Sequence, residues 1–251
     1  MKLTVQLILS ALLLPMLAGA LCAQDDVAKP QQLINRAIQA IGGKKALNKT
    51  RNTIIEDEGV YYGMGDGLPY KGRYVFELVN PGRYRMEIVG AFISVTKKDK
   101  AWMSVMEMTT DLDGDALEAA KEGALVSYAT SLIPLQKPNK NFKLSRVEPE
   151  TVEGEVCVGI TIDHEGMPTI TMHFSKKSGL IKKIKYLVKA PELGFKEATD
   201  ETIFHTYKEF DGVQQPSKMT IFRDGKKFVE STPQEVTFPK ELDESEFKRP
   251  E

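Results

Sequence analysis

Alternation of apolar and other side chains with a period of two constrains this chain more than any other feature. Such a period places successive side chains on opposite faces of a strand, and it is typical of half-buried antiparallel sheets. About twelve runs of this kind lie between Thr53 and Phe238, separated by turns rich in Gly, Asn and Asp. The sequence therefore predicts a mainly β protein. The clearest runs place Tyr74, Phe76 and Leu78, then Tyr84, Met86 and Ile88, then Val156, Val158, Ile160 and Ile162 each on one face.

Two segments with helical periodicity interrupt the strands. One precedes all strands and ends at Gly42-Gly43, and the other spans residues 115–132 and ends before Pro134. The order is helix, about five strands, helix, about seven strands, with no linker-like change of composition, and it predicts one domain over residues 24–251. We expect a single strongly curved antiparallel sheet, an unclosed β-barrel of about 11–12 strands, covered by the two helices. The apolar stripes are Leu33, Ile34, Ala37, Ile38 and Ile41 in the first helix, and Leu117, Ala120, Ala124, Tyr128 and Leu132 in the second.

The N-terminus has the order of a secretory signal peptide. Lys2 precedes an apolar run over residues 3–17, and the small residues 18–20 follow it. This run is shorter than the roughly 20 apolar residues that a membrane-spanning helix needs. We therefore predict that residues 1–23 are a signal peptide and that the protein is periplasmic. A lipid anchor on Cys22 is the alternative, although Leu21 replaces the small residue that such signals carry before the cysteine.

Composition and spacing exclude several kinds of site. With 34 basic and 35 acidic side chains the net charge is −1, which leaves no basic excess for binding nucleic acid. The three histidines, His164, His173 and His205, form no metal-binding motif. Asp111, Asp113, Asp115 and Glu122 fit the spacing of a calcium loop, but Ala116 stands where its glycine is required, so we interpret Asp113 or Asp115 as the cap of the second helix. We expect no cofactor and no metal.

Catalytic signals are also weak. Ser94, Ser104 and Ser127 lack the glycine-flanked turn of a nucleophilic serine, and Cys157 has no identifiable histidine partner. The glycines at 63, 65 and 67 are followed by a strand rather than by the helix of a phosphate loop. We therefore predict that the protein is not an enzyme.

Bulky apolar residues cluster on neighbouring predicted strands. One interpretation is an ordinary hydrophobic core. The other is a ligand-binding cavity, because two short helices are not expected to fill the concave side of such a wide curved sheet. The candidate ligand-binding residues are Tyr74, Phe76, Leu78, Tyr84, Met86, Ile88, Phe92 and Trp102.

The segment F-E-L-V-N-P-G-R-Y-R-M at residues 76–86 resembles the strand–R-P-x-x-[FY]-R-[WF]–strand segment of the outer-membrane lipoprotein-sorting (LolA-like) carriers. The hairpin K-D-K-A-W at 98–102, the helix ending in L-I-P-L at 132–135 and the tail from Leu242 to Pro250 resemble further segments of that family. The resemblance implies an unclosed β-barrel, lidded by helices, that holds acyl chains. In the carriers the arginine of the R-P pair helps to hold the lid shut, and Asn80 replaces it here.

The leading hypothesis is therefore a non-enzymatic periplasmic carrier of lipid or lipoprotein acyl chains. Its partners would be a lipid or an acylated lipoprotein, together with membrane-bound donor and acceptor proteins, and we expect a monomer. A lipid-sensing regulatory protein of the same fold is one alternative. A secreted enzyme with its site at the barrel mouth is another, and it would require a titratable cluster inside the cavity, where the strands have an apolar pattern.

Overall fold

The computed structural model describes residues 29–80 and 82–250. The predicted signal peptide and Cys22 lie outside this part of the chain. Within it, no helix combines the length and the apolar character needed to cross a membrane.

One antiparallel sheet of 13 strands forms the body of the molecule. Its strand order is β6-β5-β4-β3-β2-β1-β13-β12-β11-β10-β9-β8-β7, so β6 and β7 are the two edges and the sheet does not close. This confirms the predicted single antiparallel sheet, with six strands rather than five before the long helix and seven after it. The strands are β1 Asn52–Tyr61, β2 Leu68–Glu77, β3 Arg83–Ile88, β4 Phe92–Lys97, β5 Lys100–Val105, β6 Met108–Asp111, β7 Lys143–Val152, β8 Glu155–Asp163, β9 Ile170–Ser175, β10 Ile181–Ala190, β11 Lys196–Phe210, β12 Val213–Arg223 and β13 Lys226–Thr237.

The described residues contain three α-helices where the sequence predicted two: α1 (Pro30–Ala40), α2 (Gly43–Lys49) and α3 (Gly114–Thr130). The additional helix arises because Gly42, with φ of +115°, ends α1 while the chain turns at once into a second short helix. Single 3-10 turns lie at Pro134–Gln136, Pro191–Leu193 and Glu244–Phe247.

The helices cover one face of the sheet, which we call the inner face. The apolar side of α1 belongs there to one core cluster with side chains of β8, β9 and β10, and the predicted stripe of α1 is buried. The inner face is concave: Tyr84 on β3 and Tyr186 on β10 have five strands between them, yet the Tyr186 hydroxyl lies close enough to contribute to raising the pKa of Tyr84. Strand twist accumulated across the sheet bends it in this way.

The two ends of the strands differ. At one end α1 and α2 close the sheet: the Gln214 amide donates to the Ile41 carbonyl, and Lys49 pairs with Asp211 at 2.9 Å. The opposite end holds the β1–β2, β3–β4, β5–β6 and β10–β11 connections. We call it the open end, because eight of the nine exposed large apolar side chains of the described residues lie there or in the adjoining part of a strand. They are Met64, Leu68, Val89, Val105, Met106, Met108, Leu187 and Leu193.

The C-terminal segment, residues 240–250, crosses the outer face of strands β1 to β6. Arg73 on β2 forms two 2.7 Å hydrogen bonds with the carboxylate of Glu246, and Arg249 donates to Asp111 on β6 at 2.8 Å. Phe247 is buried against Val75 and lies under the Arg83 guanidinium, 4.3 Å from the ring centre. This segment buries outer-face residues that the alternation pattern would leave exposed.

Candidate ligand-binding cavity

Seven of the eight candidate residues lie on the inner face. The strand register pairs Tyr74 with Met86 and Phe76 with Tyr84, and Ile88 pairs with Phe92 on the next strand. Directly paired residues of antiparallel strands share a face, so these side chains form one continuous surface. Leu78 follows β2 on the same side and is buried in the core beneath the helices.

Trp102 lies on the other face. It pairs with Val95 and packs with Val75 and Phe247 beneath the C-terminal segment, where only 7% of its surface is exposed. The sequence grouped it with the others because it is bulky and near them in the chain, but its position in the strand alternation turns it outward. We therefore leave Trp102 out of the candidate cavity.

Helix α3 covers the inner face loosely. The buried residues of this helix are Val126 and Ala129, and residues 114–125 include none. The predicted stripe of Leu117, Ala120 and Ala124 is only half-buried. Among the described residues a single ion pair joins α3 to the sheet, between Glu122 and Lys189 at 4.0 Å.

Space therefore remains between α3 and the sheet. Six of the seven inner-face candidates, all except Leu78, keep part of their surface accessible. At the edge of α3, a cleft of about 640 Å³ opens between this helix, the β8–β9 connection and the end of β10, and none of the eight candidate residues lines it. Apolar Met167, Pro168, Leu187 and Val188 line it, together with charged residues of α3, β10 and β11.

The inner face also carries a buried carboxylate that the sequence analysis missed. Asp57 is 3% exposed, and it accepts hydrogen bonds from the Tyr70 hydroxyl at 2.7 Å and the Ser231 hydroxyl at 2.9 Å. Burial raises its pKa above the ordinary value, although its hydrogen bonds act in the opposite direction. Its neighbours Glu56 and Glu58 made this stretch resemble a solvent-exposed strand. The sequence did contain one indication that side chains pack closely here: the glycines Gly59 and Gly72, over which the Tyr70 ring lies.

A second polar group stands on the inner face of β11 and β12. Arg223 donates two 2.7 Å hydrogen bonds to the carboxylate of Asp200, which is 6% exposed, and a third at 2.5 Å to Glu192. Tyr186 pairs directly with Asp200, and burial raises the pKa of Tyr186 to about 12. The inner face therefore combines the apolar pattern expected from the strands with tyrosine hydroxyls and two buried acids, Asp57 and Asp200.

The other candidate sites take different places. On the outer face, His173 lies 3.5 Å from the Glu150 carboxylate and His205 lies 2.6 Å from that of Glu153, and Cys157 is buried there. Within the described ranges, no group of three or more His, Cys, Asp or Glu side chains is placed to hold a metal ion. Asn80 is exposed, and no hydrogen bond joins its side chain to any described residue.

Solved structures share this architecture. A DUF1329 family protein from Desulfovibrio piger superposes with a TM-score of 0.58 at 11% identity, covering 88% of this chain and 98% of its own. A LolA superfamily protein from Nitrosomonas europaea superposes with a TM-score of 0.56 at 7% identity, again covering 88% and 98%. The fold is LolA-like.

A domain described as an outer membrane lipoprotein-sorting protein, from Vibrio parahaemolyticus, has the same LolA-like fold, with a TM-score of 0.52 at 11% identity over 81% of this chain and 96% of its own. No protein-family model matches the sequence, and no curated protein matches it. Identities this low establish the LolA-like fold and nothing further, so function has to be argued from the cavity.

Proposed function

We propose that this protein is a non-enzymatic carrier or binder of acyl chains, which it holds between the inner face of the sheet and α3. The observation that carries the proposal is the loose cover: residues 114–125 of α3 lie on the inner side of the sheet, and none of their side chains is fully buried. A helix packed only for stability buries a continuous apolar stripe. Here the apolar surface below the helix is left for a ligand.

The energetics suit reversible binding. Each buried methylene contributes about 0.8 kcal/mol, so eight methylenes give roughly 6 kcal/mol before the cost of ordering the chain. The adaptable side chain of Met86 and the aromatic rings beside it suit a flexible chain. The open end offers a route inward, whereas α1 and α2 close the other end.

The proposal also states where the protein acts and from which partners it receives and to which it passes its ligand. The signal-like residues 1–23 would deliver the protein to the periplasm. There it would receive an acylated lipid or lipoprotein from a membrane-bound donor and pass it to an acceptor.

Binding of a long-chain fluorescent acyl probe to lipid-free protein tests the proposal. Met86→Gln places an amide on the inner face, and Val156→Gln makes a comparable change at an exposed residue near the closed end. We expect Met86→Gln to weaken binding roughly tenfold, because an unpaired buried amide costs about 1–3 kcal/mol. Val156→Gln should bind like wild type. Failure of wild type to bind the probe, or equal affinities for the two variants, would refute the proposal.

A further inference from the structure

Two tyrosine hydroxyls inside the cavity have no partner in the described part of the protein. Tyr84 and Tyr186 lie on the inner face of β3 and β10, and neither hydroxyl forms a hydrogen bond with a described residue. Tyr207, also on the inner face, differs: its hydroxyl donates to the Ile181 carbonyl at 2.7 Å. Both hydroxyl oxygens keep some access to solvent, so each is free to bond to a polar group that enters the cavity.

Tyr74 places a third tyrosine hydroxyl in the same part of the cavity. Tyr74 is the diagonal neighbour of Tyr84 across strands β2 and β3. It lies beside Tyr70, which donates to the buried Asp57 carboxylate. This connection to Asp57 fixes the position of Tyr74, whereas Tyr84 and Tyr186 keep part of their surface accessible and lie close enough to interact electrostatically.

We infer that Tyr74, Tyr84 and Tyr186 form a polar subsite inside the cavity, which binds a neutral oxygen group, such as an ester or a hydroxyl, of an amphipathic acyl ligand. This inference rests on the proposed acyl-binding function and specifies the ligand class. The ligand's acyl chain lies on the apolar surface of Phe76 and Met86, while its oxygen atoms accept from the free Tyr84 and Tyr186 hydroxyls beside Tyr74. The polar part of the ligand therefore enters the cavity instead of remaining at the open end.

The surrounding charges favour a neutral ligand over a fatty carboxylate. Asp57 and Glu122 lie near the tyrosines and would repel an anion, whereas Asp200 is compensated by Arg223. The cation on this wall, Arg223, already donates to Asp200 and Glu192. No positive charge among these side chains is thus free to neutralise the carboxylate of a fatty acid.

Competition measurements with three ligands of equal chain length test the inference: a fatty methyl ester, the fatty acid and the unsubstituted hydrocarbon, each displacing the fluorescent acyl probe. We expect wild type to bind the ester several-fold more tightly than either of the others at neutral pH. Tyr84→Phe and Tyr186→Phe should each reduce the preference for the ester over the hydrocarbon about five- to tenfold. Affinity for the hydrocarbon should not change.

Tyr207→Phe is the matched control. It removes a hydroxyl that is already bonded within the protein, so it should lower the unfolding temperature but keep the preference for the ester. The two test variants remove unpaired hydroxyls, so their unfolding temperatures should equal or exceed that of wild type.

Equal affinities of wild type for ester and hydrocarbon, or an unchanged ester preference in both test variants, would overturn the subsite while acyl binding stands. Tighter binding of the fatty acid would overturn the choice of a neutral ligand. If wild type does not bind the probe or any of the three ligands, the proposed function itself fails, and the subsite fails with it.

Discussion

Two glycines on neighbouring strands make room for an aromatic ring on the inner face. A Cβ atom at Gly59 would lie 2.2 Å from the Glu230 carbonyl oxygen and 2.6 Å from the Tyr70 ring. The carbonyl belongs to the strand ladder and cannot move without breaking it. We therefore expect Gly59→Ala to lower the free energy of unfolding by about 1–3 kcal/mol, measured by urea denaturation.

Gly123 provides the control for this substitution. It lies in α3, and a Cβ there would meet no atom within 4 Å. Gly123→Ala should raise the free energy of unfolding by about 0.5–1 kcal/mol through helix propensity. A neutral Gly59→Ala would contradict the strand register described here.

A single buried histidine should make stability depend on pH. His173 is 5% exposed on the outer face, and burial lowers its pKa below the ordinary 6.5. The charged groups facing it are Glu150 at 3.5 Å and, from the next strands, Lys183 and Glu201. Since the unfolded chain takes up this proton more readily, the stabilising contribution is present above the unfolded pKa and is lost as pH falls.

The corresponding test is His173→Gln. We expect wild type to lose more free energy of unfolding than the variant as the pH falls from about 7 to about 5. Thermal unfolding across this range measures the difference. Parallel pH profiles for the two proteins would show that His173 does not contribute.

At the level of single residues, the sequence predicted the apolar residues of the inner face and missed the polar ones. Alternation assigned Tyr74, Phe76, Tyr84 and Met86 to one face, as observed. The burial of Asp57 was missed because one of its hydrogen-bond donors, Ser231, is 174 positions away in the chain, which left the glycine pair as the local indication.

The C-terminal segment, with one 3-10 turn at Glu244–Phe247, packs on the sheet as an element of the fold. Phe247 is 3% exposed and packs with Trp102, which is the single tryptophan of the chain. Phe247→Ala should lower the free energy of unfolding by about 3–5 kcal/mol and shift Trp102 emission to longer wavelength, because water reaches the indole. Lys248→Ala, at an exposed neighbour, should change neither quantity. An unshifted emission spectrum in Phe247→Ala would contradict the proposed cover of the outer face.

Helix α3 shows how far periodicity predicts an element. The sequence predicted a helix over 115–132, and the structure has one at Gly114–Thr130. The predicted stripe is nevertheless half-exposed, because apolar residues lie on all sides of this helix and only its C-terminal part reaches the core. Helix formation depends on local sequence, whereas burial depends on the surface opposite, which local sequence does not contain.

For the whole molecule, strand alternation and turn residues were sufficient to predict one curved antiparallel sheet. They did not predict how the sheet differs between its ends, since that depends on α1 and α2 reaching the β11–β12 turn at Asp211 and Gln214. Exposed apolar side chains remain at the other end. A protein closed at one end and open at the other suits the loading and release of a long ligand.

The location of a bound acyl chain tests the account most directly. Crystals of lipid-free protein grown with a terminally brominated fatty methyl ester would show the bromine by anomalous scattering. The account predicts bromine density between α3 and the inner face of β2 and β3, near Met86, with the ester close to Tyr84. Bromine density on the outer face, or an inner face filled by the protein's own side chains in crystals that hold no ester, would contradict it.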